Sequence, residues 1–255
     1  MSIKSKVFAA TAALTLVGGV GAVGALSASS ASAATPSCGH SCVDIFSRDF
    51  GTHSTPSFVV DVLRQGEKVG QPIILFRTSN SDPAEDFSPS FQGLTSDFFA
   101  AGMVSAAVAL HYGCVAGVPD AGSTCSAGVN DPAFEIEYAP YGVDSGLCMG
   151  LASTAVYEGK VTLAPCGVSA KTVWIVDTND SPATIAHGYV PLINGSDTNF
   201  SHPFVLSYPT NGYPTDMPRV QLEVTNLTGF QSGRGTAIGS VDSNQLWGAD
   251  YGVLK

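Results

Sequence analysis

Residues 147–174 read LCMGLASTAVYEGKVTLAPCGVSAKTVW. The stretch opens on an apolar run, crosses a turn, and resumes at Gly159 with the alternation Val161/Leu163. It then reaches Cys166 and closes on Trp174. Weaker copies flank it. Upstream, residues 58–87 read FVVDVLRQGEKVGQPIILFRTSNSDPAEDF. Downstream, residues 204–247 begin FVLSYP, continue PRVQLEV and end NQLW. Each copy has an opening strand, a turn and an alternating strand, with Ile73/Leu75, Val161/Leu163 and Val220/Leu222 as the inward pairs. The closing aromatics are Phe87, Trp174 and Trp247. A unit of this size buries its apolar face only against its neighbours, so a threefold repeat decides the architecture before any local motif does.

Composition agrees with a strand-rich chain. The sequence has 255 residues, 28 glycines, 15 prolines and only 13% charged side chains. That describes short strands joined by tight turns. The boundaries expected from the pattern are repeats at about 43–96, 134–178 and 186–255, with an insertion at about 97–133.

The first 33 residues read as an export signal. Lys4 and Lys6 form a basic start, residues 7–26 are apolar, and Ala31-Ser32-Ala33 makes an A-x-A cleavage site. Glycines at 18, 19, 21 and 24 fit a cleaved signal better than a membrane anchor. Residues 34–255 are then a single exported domain. They carry 9 basic and 21 acidic side chains, a net charge of −12. Nucleic acid and anionic membranes both need clustered Lys and Arg, so neither is an expected partner.

Six cysteines in an exported chain read as three disulfides. Proximity favours Cys38–Cys42, Cys114–Cys125 and Cys148–Cys166. The Cys38-Gly-His-Ser-Cys42 run lacks metal-ligand spacing, and 177–182 (DTNDSP) lacks the glycine and distal glutamate of an EF-hand, so neither a metal nor a cofactor is expected. Residues 98–109 offer a choice between a helix capped by Ser96-Asp97 and a strand, and the strand is the expectation here. Phe134-Glu135-Ile136-Glu137-Tyr138 alternates, which predicts a half-buried strand with both glutamates on a solvated face. Asn194-Gly195-Ser196 and Asn226-Leu227-Thr228 match glycosylation sequons.

Taken together, these residues resemble the ricin-type β-trefoil lectin family. The central repeat carries Cys148, Gly159, Val161, Leu163, Cys166 and Trp174 at the family's positions, with Thr172 in place of Gln. The first repeat keeps Asp61, Gly70, Ile73, Leu75 and Phe76, and the third keeps Gln245-Leu246-Trp247. The resemblance implies an all-β, β-trefoil-like fold of three pseudo-repeats with insertions. It also implies one sugar site per repeat, in which a carboxylate accepts hydroxyl hydrogen bonds and an aromatic ring covers the sugar. Carried onto this chain, the carbohydrate-binding residues are Asp61, Phe76 and Glu85 in the first repeat, with Ala84 replacing an Asn. The second repeat offers Gly150, Ala164 and Lys171, which removes its site. The third offers Asn244 and Gln245, with Ser207 and Glu223 where the acid and the aromatic belong.

The function expected is therefore a secreted, monomeric carbohydrate-binding protein that recognises a glycan or polysaccharide. A structural or protein-interaction module on the same scaffold is the alternative, since a fold hosts many functions. An enzyme is not expected: the sequence has no G-x-S-x-G, H-E-x-x-H or P-loop, and its five histidines are scattered.

Overall fold

The computed structural model describes residues 42–50, 57–79, 82–113, 130–176, 188–209, 220–228 and 241–251. The chain divides into residues 1–34 and 35–255, and every described element belongs to the second unit. The expected export signal, Cys38, Cys114, Cys125 and the acidic turn at 177–182 lie outside the described residues.

Alternating apolar residues produce four strands in each of three repeats. The first contains β1 (Val43–Ser47), β2 (Phe58–Val62), β3 (Ile73–Arg77) and β4 (Phe87–Leu94). The second contains β5 (Pro132–Tyr138), β6 (Leu147–Leu151), β7 (Gly159–Pro165) and β8 (Trp174–Val176). The third contains β9 (Leu192–Asn194), β10 (Phe204–Ser207), β11 (Val220–Gln221), β12 (Glu223–Asn226) and β13 (Trp247–Tyr251). Here β11 and β12 are one strand interrupted at Leu222.

Two strands per repeat build a closed barrel. β1 pairs with β13 and β4, β4 with β5, β5 with β8, and β8 with β9. Val190 and Trp247 exchange backbone hydrogen bonds at 2.9 Å each way and complete the ring. Closure leaves no unpaired edge among the six described barrel strands. The remaining hairpins, β2–β3, β6–β7 and β10–β12, cap one end. They are tied to one another by Leu163 N–H to Gln71 O (2.8 Å), Val161 N–H to Leu222 O (2.9 Å) and Leu222 N–H to Ile73 O (2.9 Å). A six-stranded barrel closed by three hairpins is an all-β, trefoil-like fold.

Register establishes which residues are equivalent. Phe46 pairs with Val59, Glu137 with Cys148 and Ile193 with Val205, so these three pairs occupy one place in each repeat. The closing aromatics Phe87, Trp174 and Trp247 are 0%, 0% and 1% exposed and meet in the main core. Trp174 Nε1–H donates to Met149 O at 2.9 Å, and Trp247 Nε1–H donates to Leu206 O at 2.8 Å. Met149 and Leu206 are equivalent positions, so the two tryptophans make the same bond.

Three sequence expectations need correction. In the third repeat β10 pairs Leu206 with Val224, which makes Leu222/Val224 the inward pair instead of Val220/Leu222. Both are fully buried, whereas Val220 is half-buried. Secondly, the insertion is helical: α1 spans Thr95–Ala100 and α2 spans Ala106–Tyr112. Asp97 accepts from Leu94 N–H (2.8 Å) and Ser105 Oγ from Val108 N–H (3.3 Å), so local caps favour helix. Gly102, at φ +75°, lies between the two helices. Phe98, Val104, Val108 and Tyr112 bury against Val173, Ile175, Val205 and Leu246 in a second apolar cluster. Among the described residues, no helix is long and apolar enough to cross a membrane. Thirdly, Glu135 and Glu137 are buried, at 1% and 7% exposure. Glu135 accepts from Gly167 N–H and the Thr172 hydroxyl, and Glu137 accepts from Gly146 N–H, so both tie down turns of the second repeat.

Candidate functional site

The first repeat brings a group of carboxylates together on the outer side of its hairpin. β2 pairs Asp61 with Ile74 and Val59 with Phe76 on β3. Paired residues share a face and faces alternate along a strand. Val60/Leu75 and Val62/Ile73 therefore fill the core, while Asp61 and Phe76 stand together on the opposite face. Asp44 on β1 alternates with the core residues Val43 and Ile45 and turns to this same side.

The fourth wall is a single 3-10 turn, Pro83–Glu85. Asp82 caps it: Oδ1 accepts from Ala84 N–H and from Gln65 Nε2–H, each at 3.0 Å. Proline at the next position suits a helical first turn, where no N–H is needed. The turn delivers Glu85 inward. Its Oε1 accepts from Ser79 N–H at 2.8 Å. Its Oε2 is buried and has no hydrogen-bond partner among the described residues. One oxygen from each of Asp61, Asp82 and Glu85 lies within 4.8 Å of the others.

Electrostatics follow from this crowding. Asp44, Asp61 and Glu85 are 2%, 3% and 1% exposed, while Asp82 is half-buried. Burial pushes the Glu85 carboxyl up to about 8, opposed by the Ser79 N–H and reinforced by the charges of Asp82, Asp61 and Asp44. The Tyr138 hydroxyl is buried and has no hydrogen-bond partner among the described residues. Burial, then the charges of Glu67, Asp61 and Asp82, push it well above the ordinary phenol value.

The other two repeats fill the equivalent space differently. Glu135, Gly150 and Thr172 stand in the second repeat where Asp44, Asp61 and Glu85 stand in the first. There the Thr172 hydroxyl donates to Glu135, and Gly167 N–H lies 3.0 Å from both carboxylate oxygens. A Cβ on Gly150 would sit 2.8 Å from Thr172 Cγ2 and 2.9 Å from Lys171 O, so the turn occupies the space an aspartate side chain would need. In the third repeat the set is Pro191, Ser207 and Gln245. Gln245 is 2% exposed; its Nε2–H donates to Thr225 Oγ1 (2.9 Å) and Asn226 O (2.8 Å), and its Oε1 accepts from Thr228. Asn244 Nδ2–H donates to Tyr208 O at 2.9 Å.

The residues singled out from the sequence therefore fall into two groups. Asp61, Phe76 and Glu85 converge, whereas Asn244 and Gln245 lie in the third repeat, where the Asn244 Nδ2–H and both ends of the Gln245 amide are bonded internally. The third-repeat counterpart of Phe76 is Thr225, since Thr225 pairs with Val205 as Phe76 pairs with Val59. Glu223, placed there from sequence, forms an ion pair with Lys160 instead. Asp82 was missed, although an Asp-Pro start to the turn is a capping signal, and so was Asp44, which only the pairing of β1 brings close. Cys148 and Cys166 form a disulfide with Cα atoms 5.0 Å apart. Cys42 is also disulfide-bonded. Asn194 is 1% exposed and bonded to Lys171 O and Ser196, so its sequon is inaccessible in the folded chain.

No family model matches this chain, and no curated protein matches it. Among solved structures it is similar to the designed 3-fold symmetric protein ThreeFoil, at 11% identity over 81% of this chain and 96% of that one, with a TM-score of 0.44. It is also similar to part of a mosquitocidal holotoxin, at 11% identity over 82% of this chain and 17% of that one, with a TM-score of 0.45. The class to which the chain belongs, an all-β trefoil-like protein, rests on its own strand pairing.

Proposed function

We propose that the protein is an exported carbohydrate-binding module that uses the outer face of its first repeat and has no catalytic role. The observation that carries this reading is the β2–β3 register, which puts Asp61 and Phe76 on one face with Glu85 beside them. Phe76 is half-buried and offers ring surface at the rim; Asp61 stands behind it as a hydrogen-bond acceptor. A carboxylate and an aromatic face are complementary to the hydroxyl and C–H sides of a sugar. Export is supported by the basic-apolar-small order of residues 1–33 and by the Cys148–Cys166 bond, which suits an oxidising compartment.

One observation favours a second reading, a non-lectin interaction module on the same scaffold. Asp61 and Glu85 are only 3% and 1% exposed, and Asn244 and Gln245 are bonded internally. A glycan-array and insoluble-polysaccharide screen separates the two, comparing the native protein with Asp61→Asn and Phe76→Ala. The sugar reading expects binding that falls roughly tenfold or more on losing the charge-assisted acceptor, and several-fold on losing the ring. Binding that ignores both substitutions moves the site elsewhere. Absence of binding to every glycan supports the interaction module.

A further inference from the structure

The first repeat gathers more acid than a trefoil repeat needs. Its two sister repeats serve as internal controls. Where they place Thr172 against Glu135 or an amide-rich network around Gln245, the first repeat places Glu85 among Asp44, Asp61 and Asp82. At the position of Glu85 the sister repeats bond the side chain internally, through Thr172 and through both ends of the Gln245 amide; the first repeat leaves Glu85 Oε2 buried and, among the described residues, without a hydrogen bond. Among the described residues neither Asp82 nor Glu85 has an ion-pair partner. Burying the Glu85 carboxyl with one oxygen unbonded is costly, and bound metal is one of the ways proteins relieve such a cost.

We infer that Asp61, Asp82 and Glu85 form a binding site for a hard divalent cation, with calcium the ion that fits best. All the donors are carboxylate oxygens, the ligand type calcium prefers over thiolate- or imidazole-seeking metals. Their mutual spacing, within 4.8 Å, is the span of ligands on one ion with metal–oxygen distances of about 2.4 Å. Asp82 belongs to a turn and is half-buried, so the site has a face from which an ion enters. Glu85, 1% exposed, supplies a carboxylate oxygen from its buried side chain, and water would complete the shell. The ion would fix the Pro83–Glu85 turn against β2, the work done in the second repeat by the Thr172–Glu135 bond. This inference does not depend on the sugar reading, because metal alone tests it.

The test is a calorimetric titration of the purified, EDTA-stripped full-length protein with calcium chloride, alongside thermal melts with and without the ion. Glu85→Gln, Asp82→Asn and Phe76→Ala are compared with the native chain. The expected result is one saturable site, a melting temperature that rises with calcium, and affinity lowered by at least about tenfold in each carboxylate variant. Phe76→Ala should bind calcium as the native chain does, while any sugar binding falls several-fold. If Glu85→Gln does not fold, Asp82→Asn, in the half-buried turn, carries the comparison. No heat and no melting shift at millimolar calcium would overturn the inference. So would binding that both carboxylate substitutions leave intact.

Discussion

At Gly150 a single hydrogen separates a folded repeat from a strained one. The nearest atoms to an added Cβ include Lys171 O at 2.9 Å and Thr172 Cα at 3.1 Å, and backbone does not yield as a flexible side chain does. Gly150→Ala should therefore destabilise the protein by about 1–3 kcal/mol in urea unfolding. Gly150→Asp, the change that would copy Asp61 into the second repeat, should be worse still. Trp174 makes a similar case. Its Nε1–H donates to the Met149 carbonyl at 2.9 Å inside the core. Trp174→Phe keeps an aromatic in the core but removes that donor, as Phe87 lacks it in the first repeat. Taking a hydrogen bond from a buried acceptor costs about 1–3 kcal/mol, and chemical denaturation should register a loss of that order.

At the scale of elements, β5 is the strand whose sequence misleads most. Its apolar-acidic alternation predicts one wet face, yet Glu135 and Glu137 are enclosed by turns of the second repeat. Burial raises the Glu137 carboxyl above its ordinary value near 4.5, against the pull of Gly146 N–H. The folded chain therefore holds a proton that the unfolded chain has released. This contribution to stability is fully present below about pH 4.5 and is lost as pH rises through the folded value. Glu137→Gln keeps an acceptor for Gly146 and cannot ionise, so urea midpoints measured from about pH 4 to about pH 7 should fall less steeply in the variant. The neighbouring hairpin is held differently. The Cys148–Cys166 bond closes a separation of 18 residues between β6 and the end of β7. Replacing both cysteines by alanine should cost about 3 kcal/mol if the entropy of the open loop dominates.

For the molecule as a whole, closure is the organising fact. β1 and β13 pair along five residues, and Val190 and Trp247 join the last gap, so elements from both ends of the described chain complete one barrel. Trp174 and Trp247 belong to the same main core cluster. Their fluorescence and the far-ultraviolet circular dichroism of the sheets should then follow a single coincident urea transition. Two separated transitions would mean that a repeat unfolds alone, contrary to a barrel in which each repeat supplies two of six staves.

The sequence alone determined the repeat, the strand type, the three closing aromatics and one disulfide. These are properties of period and spacing, and they survive without knowledge of partners: Phe87, Trp174 and Trp247 are recognisable because each ends an alternating strand. Asp61, Phe76 and Glu85 were legible as a set only through the family resemblance, which assigns its site positions to them. Only the tertiary structure decided the rest. Whether 98–109 coiled or extended depended on the cluster that Phe98 and Val108 would bury against. Whether Glu135 faced water depended on a turn some thirty residues later. Whether Asp61 and Glu85 stood alone or beside Asp44 and Asp82 depended on the pairing of β1 and the packing of a capped turn. Burial and carboxylate–carboxylate proximity arise between segments distant along the chain, and it is these long-range contacts that set the charge and chemistry of the first repeat.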